Sequence, residues 1–247
     1  AAIPGILVFV IYIFFERSSL LRYIRPYRIL PDMSVLRELS KVGFAPALEG
    51  TITNLSFVFF IIIAERISTL AVASSYALIN VLSLSFMPGF AFSIAATTIL
   101  GQAMGAKKFR LGHFATFRAA SFSAVIMGCM GIFFIICGRW IIKIFTDSPE
   151  VVTDAYPALV IISLIQVGDA YHMVVGSALR SAGLVYWVMA AYSFLSFALM
   201  LPFAYFMGVV MKLGTAGLWS AIFVWILALS LTFVWKFLKG DWKKGVV

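Results

Sequence analysis

The sequence predicts an all-α polytopic membrane protein, a six-helix transmembrane bundle preceded by the end of one further transmembrane helix. Hydrophobic residues make up 63% of the chain and charged residues 12%, whereas soluble domains carry about 25% charged residues. The mean hydropathy is +1.05. Six apolar runs each reach the approximately 20 residues that a helix needs to cross a bilayer. Composition and run length together exclude an ordinary soluble domain.

The six apolar runs follow one another along the chain with short polar breaks between them. They cover residues 42–64, 70–100, 114–137, 151–179, 185–207 and 214–238. A seventh run, 1–15, is shorter, and its charges follow the run, whereas a signal peptide carries them in front. We interpret it as the end of a truncated transmembrane helix. A short interfacial anchor is the alternative.

The segment 16–41 is the one long polar stretch of the sequence, and it contains six basic residues. This composition predicts a linker that lies on an anionic membrane surface. We therefore divide the chain into two parts. Residues 1–41 hold the helix end and a basic cytoplasmic linker, and residues 42–247 form a six-helix lobe with a cytoplasmic C-terminus.

Arginine and lysine predict the orientation. If 16–41 is cytoplasmic and the spans alternate, fifteen of the 19 basic residues lie on the cytoplasmic side, as the positive-inside rule requires. The net charge of +9 is therefore spread over membrane-surface segments, and no nucleic-acid partner is expected. The sequence contains no HExxH or GxSxG motif, and we do not expect an enzyme.

Asp169 is the most informative residue because it lies deep in an apolar run. Eleven residues separate it from Arg180, which is about 16 Å along a helix. It is therefore expected near the bilayer midplane, where a carboxylate costs at least roughly 2.5 kcal/mol. Gln166 and His172 lie at i−3 and i+3 on the same helix face.

This polar face supports two readings. Asp169 could exchange a proton or hold a cation, with Gln166 and His172 beside it. Alternatively, a neutral Asp169 could join two helices through a hydrogen bond, and His172 could be a packing residue. We expect no other metal and no cofactor besides a coupling proton or sodium ion.

Glu49 is the second acid expected inside the membrane. It lies eight residues beyond Lys41, or about 12 Å into its span. It could be a second protonatable or cation-binding group. It could equally snorkel to the interface or pair with a nearby base.

Three groups of short motifs occur in a fixed order. The first is Phe-Met-Pro-Gly at 86–89, Ala-Ala-Thr at 95–97 and Gly-Gln-Ala-Met-Gly-Ala at 101–106. The second is Gln-x-x-Asp-Ala at 166–170 and Gly-x-x-Leu-Arg-Ser-Ala-Gly at 176–183. The third is Leu-Pro at 201–202, Gly-x-x-Gly-Leu-Trp at 214–219 and Gly-Asp-Trp at 240–242. Together they resemble the C-terminal half of the multidrug and toxic compound extrusion (MATE) family.

The resemblance implies a twelve-helix fold of two six-helix lobes that works as a proton- or sodium-coupled efflux antiporter for drugs or organic cations. This chain would be the second lobe, with 1–15 as the end of the sixth helix and 16–41 as the inter-lobe linker. Its partners would be the bilayer, the N-terminal lobe and a small-molecule substrate, and its location the bacterial inner membrane. A lipid-linked sugar flippase of the same superfamily and an inactive half-transporter are the alternatives.

The resemblance also implies roles for single residues. Asp169 matches the position of an essential aspartate in the tenth helix of one branch, where it takes part in coupling. That branch carries a glutamate eight residues after a conserved proline. Counting from Pro46, this position holds Asn54, whereas Glu49 lies only three residues after it. Asn54 and Glu49 are therefore both candidate coupling residues.

Overall fold

The structure, a computed structural model, describes residues 33–244, and the helices in this part follow one another without any strand. We number the α-helices as follows: α1 Met33–Ile67, α2 Thr69–Gly105, α3 Phe109–Lys143, α4 Pro149–Ser163, α5 Gln166–Ser181, α6 Val185–Leu195, α7 Leu201–Tyr205 and α8 Gly214–Lys239. Two π-helical turns, Ser196–Met200 and Phe206–Val210, flank α7, and a 3-10 turn, Asp241–Lys244, follows α8.

Five of the six predicted spans are confirmed as long apolar helical stretches, and the sixth prediction falls on a bent helix pair. Five stretches are long and apolar enough to cross a membrane: Gly43–Ile67, Thr69–Gly105, Phe109–Lys143, Val185–Val210 and Gly214–Lys239. The sixth consists of α4 and α5, which are bent by 58° relative to each other across a short break. The sequence indicated one run at 151–179, so the break is a feature that hydropathy did not reveal.

The chain divides into two compact units, residues 1–44 and residues 45–247. The predicted helix end at 1–15 and most of the predicted linker lie outside the described residues. The last part of that linker is helical, because α1 begins at Met33 and continues through residue 41. No proline or glycine interrupts the sequence between Met33 and residue 42, so nothing stops the helix there.

Helix α5 packs against α2, α3 and α8 within the second unit. Glycines allow its close approach, as small residues do at helix contacts in membranes. A Cβ atom on Gly89 of α2 would lie 2.5 Å from the sulfur of Met173 on α5. A Cβ atom on Gly131 of α3 would lie 2.6 Å from the carbonyl oxygen of Ser163, at the end of α4. The bent α4–α5 pair therefore fits into a groove lined by glycine.

The span Val185–Val210 is irregular at its centre. Pro202 stands in the first turn of α7, directly after the π-helical turn Ser196–Met200. Proline has no N–H and its ring displaces the preceding turn, so a wider turn ahead of it relieves the clash. Such local adjustments are tolerated in membrane helices where neighbouring groups form hydrogen bonds with the freed backbone N–H and C=O groups.

Gly131→Ala should destabilise the protein, because the added methyl group meets a backbone carbonyl that is unable to rotate away. Overpacking of this kind costs about 1–3 kcal/mol. The matched control is Gly101→Ala, since Gly101 has no neighbour within 4 Å of an added Cβ atom and alanine favours the helix by up to about 1 kcal/mol. Thermal unfolding in detergent should show a lower midpoint for Gly131→Ala alone. Equal midpoints for the two variants would contradict the packing at Gly131.

Candidate ion-coupling site

The break between α4 and α5 positions Asp169. Helix α4 ends at Ser163, the N–H of Ile165 donates to the carbonyl oxygen of Ile162 in a tighter turn, and α5 begins at Gln166. Asp169 therefore lies in the first turn of a helix and not in the middle of one. Unpaired N–H groups give a helix N-terminus a partial positive charge, which stabilises a carboxylate there. Discontinuous helices serve binding sites of many transporters in the same way.

Asp169 and His172 form a direct contact. Asp169 is 3% exposed, and its Oδ1 lies 2.8 Å from Nδ1 of His172. The same nitrogen lies 3.1 Å from the backbone oxygen of Asp169. Both nearby atoms are acceptors, so Nδ1 carries the proton and donates it toward the carboxylate. The i, i+3 spacing of the two residues predicted this contact.

The second nitrogen of His172 reaches a residue that the sequence analysis did not select. Nε2 lies 2.6 Å from the hydroxyl oxygen of Tyr192 on α6. The rings of Tyr192, Trp225 and Phe233 surround the imidazole, with centroids between 5.7 and 6.4 Å from it. Carboxylate, imidazole and phenol therefore form a hydrogen-bonded chain, Asp169–His172–Tyr192.

Glu49 lies in an ion pair with Arg180. Nε of Arg180 donates to one carboxylate oxygen at 3.2 Å, and Nη2 donates to the other. This bidentate geometry is the strongest that arginine and a carboxylate form. The guanidinium also lies 5.3 Å from the ring centroid of Tyr192. Of the readings left open for Glu49, the geometry favours pairing with a nearby base.

A cavity of about 540 Å³ opens beside these residues. Its polar lining includes Asn54, Asp169, His172, Arg180 and Tyr192. Most of the remaining wall is aromatic or aliphatic: Phe57, Ile79, Leu82, Phe86, Phe90, Ile162, Met173, Trp219, Ile222, Trp225 and Ile226. Pockets of this size and character take up small, largely apolar molecules that are oriented by a few polar groups.

The predicted residues occupy different positions around the cavity. Asp169, His172 and Asn54 line it, and Glu49 is connected to it through Arg180. Gln166 is buried elsewhere, where its amide nitrogen donates to Ser85 Oγ at 3.2 Å and its Oε1 has no hydrogen-bond partner. The structure brings no three His, Cys, Asp or Glu side chains together among residues 33–244. The coupling role of each of these residues stays a prediction.

Two residues of this arrangement escaped the sequence analysis. No role was predicted for Tyr192, and Arg180 served only as the charge from which the depth of Asp169 was measured. One signal was available for Arg180. It follows Asp169 by eleven residues, or close to three helical turns, so the two lie on one face of α5. No comparable signal exists for Tyr192, which is on another helix.

Glu49→Gln should destabilise the protein strongly, because it leaves the Arg180 charge without its partner. Breaking a buried ion pair on one side costs about 3–5 kcal/mol. The double variant Glu49→Gln/Arg180→Gln should recover part of this loss, since no charge is then stranded. The exposed Glu150 provides the matched control, where Glu150→Gln should change stability by about 0.5 kcal/mol at most. Additive losses in the double variant would contradict a coupled pair.

Comparison with known proteins agrees with the fold and the resemblance. The chain is 30% identical over 242 residues to the probable multidrug resistance protein NorM of Thermotoga maritima, which covers 96% of the chain and 50% of the relative. It is 24% identical over 212 residues to the multidrug resistance protein MdtK of Yersinia pseudotuberculosis, which covers 83% of the chain and 46% of that relative. The chain thus spans about half the length of these relatives.

Solved structures show the same architecture. A crystal structure of MATE in the bent conformation superposes with a TM-score of 0.82 at 18% identity, over 96% of this chain and 53% of that one. The MatE family model matches residues 46–206, which include both acids of the candidate site. On this match, and on the 30% identity to NorM, the chain belongs to the MATE family of multi-pass membrane transporters.

Proposed function

We propose that this chain forms the C-terminal lobe of a proton-coupled antiporter that exports cationic or amphiphilic drug-like molecules. It would work with an N-terminal six-helix lobe in the bacterial inner membrane. Two relatives are named multidrug resistance proteins, and this supports the substrate class. The observation that carries the proposal is the Asp169–His172–Tyr192 chain, which opens on a largely aromatic cavity.

The charges around the cavity favour a cationic substrate. Arg180 is the one arginine or lysine in the described lining, and Glu49 neutralises it. When Asp169 is deprotonated, the site therefore carries one net negative charge. Aromatic rings such as Trp219 and Trp225 attract cations through their faces. A flippase for lipid-linked sugars would be expected to hold unpaired basic residues here, so this balance supports the export of cations over that alternative.

Competition at Asp169 supplies the coupling. A substrate cation about 4 Å from the carboxylate gains about 4 kcal/mol at an effective dielectric constant of 20. Protonation removes this attraction, so the proton and the cation each weaken the binding of the other. When the cavity opens alternately to the two sides of the membrane, a proton that enters from one side replaces the substrate cation that leaves on the other. The two lobes would rock about the cavity to produce this exposure.

The contacts of Asp169 favour the proton over sodium. One carboxylate oxygen already accepts a hydrogen bond from an imidazole nitrogen. Hard cations such as sodium prefer several oxygen ligands. Asn54 is the predicted residue best placed to supply another oxygen, since it lines the cavity. To Glu49 we assign the positioning of Arg180, and to Gln166 a packing role.

Asp169→Asn should abolish export of an organic cation by the complete transporter, because asparagine neither releases a proton nor attracts the substrate. Protein expressed in cells should accumulate in the membrane at the wild-type level, since the amide has the same shape and retains hydrogen bonding. Efflux of a fluorescent organic cation from cells measures the activity. Asp154→Asn is the matched control, because Asp154 accepts a hydrogen bond from Thr215 outside the cavity.

Export by Asp169→Asn at a rate near that of Asp154→Asn would contradict the coupling role of Asp169. If the wild-type chain supported no export even when combined with the N-terminal lobe, that result would instead support the alternative of an inactive half-transporter.

A proton gradient should drive transport in proteoliposomes, and a sodium gradient should not. The reason is that Asp169 faces a nitrogen donor and not a set of oxygen ligands. Uptake of the fluorescent cation would be followed with each gradient imposed separately. A proton ionophore should stop uptake, whereas a sodium ionophore should leave it unchanged. Sodium-driven uptake at constant pH would overturn proton coupling while leaving the efflux function intact.

A further inference from the structure

A second cavity lies at the end of the bundle where α3 begins and α8 ends. It has a volume of about 460 Å³. Arg110 and His113 line it from α3, and Lys243 lines it from the 3-10 turn after α8. Phe114, Phe237 and Leu238 form much of the apolar wall. None of these residues takes part in the candidate ion-coupling site.

The turn that carries Lys243 is held in place. Gly240 ends α8 in the left-handed conformation, with φ of 78°, which lets the chain turn back toward α3. Trp242 is fully buried, and its indole nitrogen donates to the backbone oxygen of Phe237 at 2.9 Å. The ring of Phe237 is stacked with both Trp242 and His113, at centroid distances of 5.0 and 5.5 Å. These contacts fix the position of the turn and therefore define the shape of the cavity.

The lining combines positive charge with an apolar mouth. Arg110 and Lys243 are cations, and no acid appears among the lining residues whose side chains the structure describes. Phe114 and Leu238 are 57% and 60% exposed, so they face outward from the bundle. The cavity also lies at the end of two transmembrane spans, Phe109–Lys143 and Gly214–Lys239. Its position is therefore at the boundary between the hydrocarbon layer and the aqueous phase.

From this arrangement we infer that the cavity binds the phosphate headgroup of an anionic phospholipid. Basic pockets between helices at the membrane surface have the chemistry that such headgroups require. The guanidinium of Arg110 matches phosphate oxygens in a planar, bidentate manner, and Lys243 adds a mobile ammonium group. The exposed side chains of Phe114 and Leu238 accommodate the first part of the acyl chains. A free phosphate ion would use the charges but not the apolar mouth.

Arg110→Gln/Lys243→Gln should weaken the binding of phosphatidylglycerol to the purified full chain by about 30-fold. Each basic residue near a membrane surface contributes about 1 kcal/mol, and 1.4 kcal/mol corresponds to tenfold. Native mass spectrometry in detergent would count bound lipid as phosphatidylglycerol is titrated. Phosphatidylcholine with the same acyl chains should bind weakly to every variant.

Lys236→Gln/Lys239→Gln is the matched control, because it removes the same charge from the same end of the bundle. Lys236 and Lys239 lie over the rings of Trp187 and Trp235, outside the cavity. This control should bind phosphatidylglycerol nearly as well as the wild type. Arg110→Lys/Lys243→Arg should also retain binding, and the single variant Arg110→Gln should lose about fivefold if the double variant fails to fold.

Three results would overturn the inference. The first is equal weakening in both double glutamine variants, which would mean that surface potential alone attracts the lipid. The second is equal retention of phosphatidylcholine and phosphatidylglycerol by the wild type. The third is displacement of the lipid by an equal concentration of inorganic phosphate, which would identify a site for a soluble anion.

Discussion

The free-energy cost of a carboxylate within the membrane governs the polar interior of this protein. Two local features offset that cost at Asp169, namely the N-terminus of α5 and the imidazole of His172. Both depend on the break between α4 and α5, because an unbroken helix would have no positive end at this depth. The glycine-lined groove on α2 and α3 is what allows the bent pair to pack. The site and the packing therefore have the same structural origin.

A second consequence is the separation of two acids into different roles. Both carboxylate oxygens of Glu49 accept hydrogen bonds from Arg180, in the bidentate geometry that arginine and carboxylates favour. Asp169 is paired with the imidazole of His172. In the proposed mechanism, Glu49 therefore positions Arg180, and Asp169 responds to protons and substrate. Tyr192 lies between them, with its hydroxyl on His172 and its ring against Arg180.

Local sequence spacing predicted the contacts within a helix but failed beyond it. The contact between Asp169 and His172 follows from their i, i+3 spacing. Gln166 was expected on the same polar face, yet it lies i−3 from Asp169 and about 120° around the helix from His172. It therefore points toward Ser85 of α2 and not into the cavity. Residues at i−3 and i+3 both lie near residue i on the helix surface, but their directions differ enough for their side chains to contact two different neighbouring helices.

The sequence by itself determined the class of protein and the apolar runs that form its long helices, and it predicted a membrane depth for Asp169. These follow from hydropathy and from helical rise, which are local properties of the chain. Tertiary structure alone decided which polar groups of different helices meet. Glu49 and Arg180 are 131 residues apart, and His172 and Tyr192 are 20 residues apart on different helices. Such contacts depend on how helices pack and bend, and neither the glycine groove nor the 58° break can be read from hydropathy.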